Sequence, residues 1–203
     1  MKNYIKINNQ KIELTDEQVK EIQQSFGISK VKLSDIAVGE TFKIEQYEFI
    51  VLEKSSGTTA VILKDLLFEK KEFGKNNNYQ NSYVDDICND FATTISNIIG
   101  VESLVEHTVD LTSDDGLKDY GTIKRYMSLI TANQYRQYVD ILDKHKIEKW
   151  WWLATAYSTP KHENDVWIKC VSPCGDVDYG DYYYYDLGVR PFCILKSNIF
   201  VSK

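Results

Sequence analysis

The chain has 203 residues, an apolar fraction of 43% and a net charge of −6, which fits one globular domain, alone or with a small appendage. An acidic balance argues against nucleic acid as the partner, because phosphate contact needs clustered Lys and Arg. No run of about 18 apolar residues is present, which argues against membrane insertion through a helix.

The opening MKNYIKINNQKIEL lacks the apolar core of a signal peptide, so cytoplasmic synthesis is expected. Residues 1–32 read as a hairpin and helix forming a leader. Tyr4 to Leu14 alternates apolar and polar around Asn8-Asn9, a hairpin pattern. Thr15-Asp-Glu-Gln is a capping box opening a helix that runs toward Phe26 and stops at Gly27. The main domain then covers 33–203, beginning with a connection over Leu33–Val38. Thr41–Ile44 and Tyr47–Leu52 alternate as paired strands, and Thr59–Leu63 reads as another.

A polar loop, Asn76-Asn-Asn-Tyr-Gln-Asn-Ser82, ends in a helix cap. Val84, Ile87, Phe91, Ile95 and Ile98 then recur at helical steps until Gly100. Asp110–Gly121 is a loop rich in Asp and Gly. Thr131 caps a further helix with Tyr135, Tyr138, Val139 and Leu142 on one face. Trp150-Trp-Trp-Leu153 is followed by a polar run, Val166–Val171 shows a short strand pattern and Val189–Leu195 reads as a buried strand, while all four tryptophans, Trp150–Trp152 and Trp167, read as scaffold. The expected class is α+β, with two helices and a small antiparallel sheet in the main domain, and long irregular loops.

Enzyme chemistry finds little footing. His107, His145 and His162 are far apart in sequence, and no Gly-x-Ser-x-Gly, Walker or dinucleotide glycine pattern occurs. The four cysteines, Cys88, Cys170, Cys174 and Cys193, are expected as reduced thiols. Cys170-Val-Ser-Pro-Cys174 is spaced too widely for a common zinc knuckle and lacks a second pair. Acidic residues gather at Asp110, Asp114, Asp115 and Asp119, and again at Asp176, Asp178, Asp181 and Asp186. Such loops make calcium a candidate ligand, although the spacing is not that of an EF-hand and Asp and Gly are ordinary turn formers. No other metal and no cofactor is called for.

The stretch DYYYYDLGVRP, Asp181 to Pro191, carries four adjacent tyrosines. From Tyr157 to Asp186 the polar positions are mostly Tyr, Asp, Ser, Thr, Asn and His. Tyr offers a large amphipathic contact at low entropic cost, and small polar residues add adaptable hydrogen bonds. The candidate contact residues are Tyr157, Ser158, His162, Asn164, Asp165, Asp176, Asp178, Tyr179, Asp181, Tyr182, Tyr183, Tyr184 and Tyr185.

At Trp151-Trp152-Leu153 and Gly188-Val-Arg-Pro191 the chain resembles a family of bacterial and phage domains with a C-type-lectin-like fold. That fold is shared with the formylglycine-generating enzymes and with variable proteins of diversity-generating retroelements. YQNSYVDDICNDF is similar to the family's first helix, and LTSDDGLKDYG and MSLITANQYRQY to its middle loop and second helix, so the likeness covers about residues 33–197. It implies that Trp151, Trp152, Gly188, Arg190 and Pro191 are scaffold, with Arg190 held by a carboxylate or by backbone carbonyls. It also implies that 154–186 is a variable binding segment. Retroelement systems mutate adenines, turning Asn-type codons into Tyr, Asp, Ser, His or Gly codons, which would account for the tyrosine run.

The resemblance implies a noncatalytic display protein, phage or prophage encoded and virion-associated, that binds a protein or glycan. The Glu-Pro-Asn and Trp-Asn-Asp phrases of sugar-binding C-type lectins are missing, so calcium-dependent sugar binding is not implied. Two alternatives stay open. One is an oxidase like the formylglycine-generating enzymes using Cys170 and Cys174, although these do not reproduce that group's copper-binding context. The other is a virion structural or assembly component whose aromatic run is buried in a homo-oligomer.

Overall fold

The computed structural model describes residues 3–7, 10–25 and 30–203. First in the chain, β1 (Asn3–Ile7) and β2 (Gln10–Leu14) pair antiparallel, and the expected Asn8-Asn9 turn lies outside the described residues. Helix α1 (Asp16–Ser25) begins at the predicted capping box. Thr15 Oγ1 accepts from the Gln18 N–H at 3.2 Å, and Gln18 Oε1 accepts from the Thr15 N–H at 2.9 Å. The expected stop at Phe26-Gly27 also lies outside the described residues.

The chain continues in the order β3 (Lys30–Lys32), β4 (Thr41–Ile44), β5 (Tyr47–Ser55), β6 (Thr58–Leu63), α2 (Tyr83–Ile99), β7 (Leu104–Val105), β8 (His107–Asp110), β9 (Thr122–Arg125) and β10 (Met127–Ser128). It continues with α3 (Ala132–Leu142), β11 (Trp151–Ala156), β12 (Trp167–Val171), β13 (Val177–Asp181), β14 (Phe192–Lys196) and β15 (Phe200–Ser202). The class is α+β, with three helices among the described residues and antiparallel sheets.

The sheet is not small. Eight strands join in the order β10-β14-β6-β5-β4-β15-β3, with β7 also on β14. Four of these strands, β3, β7, β10 and β15, have only two or three residues, too few for hydrophobic periodicity to register. Because β3 pairs with β15, the sheet starts at Lys30 rather than after residue 32.

Both faces of this sheet are covered. Phe49, Val51, Val61, Leu63, Cys193 and Leu195 pack with Val84, Cys88, Phe91 and Ile95 of α2. Ile50, Leu52, Ile62 and Phe192 point the other way and pack with Tyr135, Tyr138 and Leu142 of α3. Successive strand residues face opposite sides, so burying both sides requires the nearly continuous apolar runs seen in β5 and β6. Helix α2 is capped by Ser82, whose Oγ accepts from the Asp85 N–H, and ends at Gly100, whose φ of 91° suits glycine. Helix α3 opens with a capping box at Thr131 and Gln134.

Strand β11 joins the two cores: Trp151 packs into the α3 side and Trp152 into the α2 side. Gly188 crosses beside it in a parallel bridge to Trp151. A Cβ at Gly188 would collide with the Leu66 side chain and stand 2.9 Å from the Phe68 carbonyl oxygen, so no larger residue fits. Arg190 is 1% exposed. Its guanidinium donates to the Leu63 and Lys64 carbonyls, both at 2.9 Å, and lies 5.1 Å from the Trp151 ring. Burial lowers its pKa to about 10, which leaves it charged at neutral pH. The scaffold expectation for Arg190 therefore resolves as backbone carbonyls. Among the described residues no helix is long and apolar enough to cross a membrane.

Candidate ligand-binding face

A second sheet, β11-β12-β13, carries the candidate site. On β12, Ile168 and Cys170 point into the core while Trp167 and Lys169 point out. Strand β13 sets Tyr179 opposite Lys169 and Asp181 opposite Trp167. Just past β11, the Tyr157 N–H donates to the Trp167 carbonyl at 2.9 Å. Three rings therefore meet on one face. Centroids are 5.0 Å apart for Trp167–Tyr179, 5.3 Å for Tyr157–Tyr179 and 5.4 Å for Tyr157–Trp167. Trp167 is 36% and Tyr179 47% exposed, although they touch one another. The expectation that Trp167 is scaffold is corrected here. Its place in the β12 alternation, out of phase with Ile168 and Cys170, was the signal for an outward ring.

Lys169 is nearly buried beneath this face. Its Nζ lies 5.6 Å from the Tyr157 ring centroid and 3.4 Å from Asp114 Oδ2. Asp114 Oδ1 in turn accepts from Arg136 Nη2 at 3.0 Å. The lysine is thus held by the frame.

The four tyrosines are not equivalent. Strand β13 ends at Asp181, and the Tyr184 N–H closes a turn onto the Asp181 carbonyl at 2.9 Å. Tyr182 packs against the main core, with its N–H on the Val166 carbonyl and its own carbonyl accepting from the Phe73 N–H. Tyr183, Tyr184 and Tyr185 are exposed. The Tyr183 hydroxyl donates to Asp181 Oδ2 at 2.6 Å, and its ring meets Tyr182 and Tyr184 edge-on. Of the run, Tyr182 is corrected from contact to support.

Two further candidates are also supports. Ser158 is buried and donates to Asp115 Oδ2 at 2.6 Å. Asn164 spends its Oδ1 on the N–H groups of Val166 and Trp167, which shapes the turn into β12. His162, Asp165, Asp176 and Asp178 remain at the surface. His162 Nδ1 lies 2.9 Å from Asp115 Oδ2, and Asp178 Oδ1 accepts from the Tyr179 N–H at 2.8 Å.

A residue inside the polar run 76–82 holds the 157–167 loop. Asn77 is fully buried. Its Nδ2 donates to the carbonyls of Ser158, Asn164 and Trp167 at 3.1, 3.3 and 3.1 Å, and its N–H donates to the Asp165 carbonyl. Its Oδ1 accepts from the Tyr120 hydroxyl at 2.6 Å. Nothing in Asn76-Asn-Asn78 distinguishes the middle amide by sequence. The Asp110–Gly121 loop fastens the same segment from the other side. Asp115 accepts from Ser158 and His162, Asp119 from Thr159, and the Asp114 N–H reaches the Ala156 carbonyl. Partial burial opposes ionisation of Asp115, but hydrogen bonds from Ser113, Ser158 and His162 outweigh it and hold its pKa well below the usual carboxylate range.

The acidic loops thus serve largely as fasteners. Among the described residues no group of three or more His, Cys, Asp or Glu side chains converges as metal ligands do. The cysteines are equally dispersed in environment. Cys170 is buried, and burial pushes its thiol up to about 12, whereas Cys174 sits exposed on the turn between β12 and β13. His107 is buried, with Nε2 2.9 Å from Ser128 Oγ, and burial lowers its pKa to about 4; His145 Nε2 meets the Gly39 carbonyl oxygen. No protein-family model, curated protein or solved structure matches this chain.

Proposed function

We propose that this chain is a noncatalytic ligand-binding domain with a C-type-lectin-like fold, which takes a protein or glycan on the Tyr157–Trp167–Tyr179 face and the adjoining Tyr183–Tyr185 turn. The observation that carries this reading is the aromatic cluster itself, with Trp167 and Tyr179 exposed and Tyr157 half-buried. Rings that could have packed inward are held against one another at the surface by strand register and by the Asn77 anchor. A preorganised aromatic surface binds without first ordering its own side chains, and clustered exposed aromatics mark interaction sites more often than chance exposure does. Asp181, which shares a face with Trp167 and Tyr179, supplies a polar edge to it.

Phage or prophage origin and retroelement diversification are part of the same proposal. They predict changes concentrated at adenines in the codons for the exposed positions of 157–185. Population sequencing of the gene beside a near-copy template tests this; fixed codons with no template would leave a surface dedicated to one ligand. For binding itself, the test is a screen of the intact chain against glycan arrays and bacterial envelope fractions, repeated with Trp167→Ala and Tyr179→Ala. Both variants should keep their melting temperatures within about 3 °C, as surface changes do, and lose binding at least tenfold. Retained binding in both would move the site elsewhere.

A further inference from the structure

Among the described residues, strand β13 is an open edge. It pairs with β12 on one side, and the β11-β12-β13 sheet ends there. The Tyr182 N–H reaches the Val166 carbonyl and the Ser172 N–H reaches the Asp176 carbonyl. Hydrogen-bonded pairs alternate along an antiparallel ladder, so the even-numbered residues of β13 face β12. The backbone groups of Val177, Tyr179 and Asp181 therefore face outward. Two of them are engaged locally: the Tyr179 N–H by the Asp178 carboxylate, and the Asp181 carbonyl by the Tyr184 N–H. Among the described residues, no hydrogen bond engages the Val177 N–H and carbonyl, the Tyr179 carbonyl or the Asp181 N–H outward. The opposite edge of this sheet is closed, since β11 bonds to Gly188 and Ile130.

The charge along this edge is one-sided. Between residues 157 and 186 there are six carboxylates and two lysines. Lys169 already serves Asp114. Asp176, Asp178 and Asp181 flank the edge with no cation opposite them among the described ion pairs. Asp181 shares its face with Trp167 and Tyr179, while Asp178 lies on the other face.

We propose that β13 accepts an extended segment of a partner protein bearing Lys or Arg, which adds as a fourth strand and lays its cationic side chains among Asp176, Asp178, Asp181 and the Trp167–Tyr179 rings. Main-chain bonds would supply affinity, and alternate side chains would supply selectivity. An alkylammonium or guanidinium beside Trp167 and Tyr179 gains both cation–π and carboxylate contact. A second copy of this chain is disfavoured at the same edge, because it would bring its own Asp176, Asp178 and Asp181 against these. The proposal rests on the binding function above and names the partner class for that face.

The test titrates the intact chain with a short peptide alternating lysine and valine. Controls are its glutamate–valine counterpart and a lysine–valine peptide N-methylated on alternate backbone nitrogens. Val177→Pro removes an outward N–H, at a position where an edge strand tolerates proline, together with a half-buried valine side chain that packs on the α3 side. The expected result is saturable binding of the lysine–valine peptide, weakened at least tenfold by N-methylation, by Val177→Pro and by Asp178→Asn with Asp181→Asn, and weakened by salt. No binding, or equal binding of the methylated peptide, overturns strand addition without needing the proline variant to fold. A concentration-dependent dimer abolished by Val177→Pro would make a second copy the occupant and also overturn it. If envelope or glycan binding lost in Trp167→Ala coexists with indifference to all peptides, the ring-face function stands and strand addition falls.

Discussion

The Asn77 side chain donates to the Trp167 carbonyl across 3.1 Å, joining a loop before α2 to the first residue of β12, 90 positions later. The same amide nitrogen reaches Ser158 and Asn164, so one buried residue sets the path of the whole segment that presents Tyr157 and Trp167. Buried carbonyls left without a donor cost about 1–3 kcal/mol each when they cannot rehydrate.

Asn77→Ala should therefore lower stability by about 2–4 kcal/mol and the melting temperature by roughly 5–12 °C. It should also raise hydrogen exchange at the Tyr157 N–H, which bonds to Trp167. Thermal unfolding with amide exchange checks both. A melting temperature unchanged in Asn77→Ala would mean that the loop is held by other contacts.

Alanine substitution should separate the tyrosine run into two behaviours. Tyr183→Ala, Tyr184→Ala and Tyr185→Ala remove exposed rings and should change stability by no more than about 0.5 kcal/mol. Tyr182→Ala removes a ring packed on the core and should cost about 1–2 kcal/mol. Denaturant midpoints for the four single variants give the comparison directly.

Arg190→Met keeps some of the side chain's bulk but withdraws its donors from the Leu63 and Lys64 carbonyls. A loss of about 3 kcal/mol or more is expected. Circular dichroism of the thermally scanned variant would read it. Its effect on ligand affinity should be no greater than its effect on the folded fraction, since Arg190 is buried.

Asp115 predicts an acid-side dependence. Its folded pKa is held below the unfolded value, so the stabilisation is present above an ordinary Asp pKa of about 4 and is lost as pH falls through the folded pKa. The melting temperature should drop steadily below about pH 4, and Asp115→Asn should flatten that part of the curve while lowering stability at neutral pH. A wild-type and variant pair scanned from neutral to acid pH provides the measurement.

Thiol reactivity should divide by environment. Cys174 is exposed, while Cys88, Cys170 and Cys193 are buried, with burial pushing the Cys88 and Cys170 thiols up to about 12 and that of Cys193 higher still. The thiolate is the reactive form, so the native chain should titrate one thiol rapidly with a disulfide reagent and release the rest on denaturation. Cys174→Ser should abolish the fast phase.

Elements written in short-range chemistry were legible along the chain. The Thr15–Gln18 box, the Ser82 and Thr131 caps and the apolar spacing of Val84 to Ile98 each lie within one helix, so neighbouring residues suffice to specify them. The candidate segment was legible by composition, and its exposed tyrosines lie within it. Tertiary structure decided the rest, because it depends on partners far away in sequence. The register that sets Tyr179 opposite Lys169 brings Trp167 into the aromatic face. The bond from Phe73 to the Tyr182 carbonyl helps fix that ring inward while its three successors face out. The reach of Asn77 to Trp167 turns one amide of a polar run into the anchor of the site. A short strand such as β15 acquires meaning only from β3 and β4 beside it, since a backbone hydrogen bond between strands requires both chains to be in place.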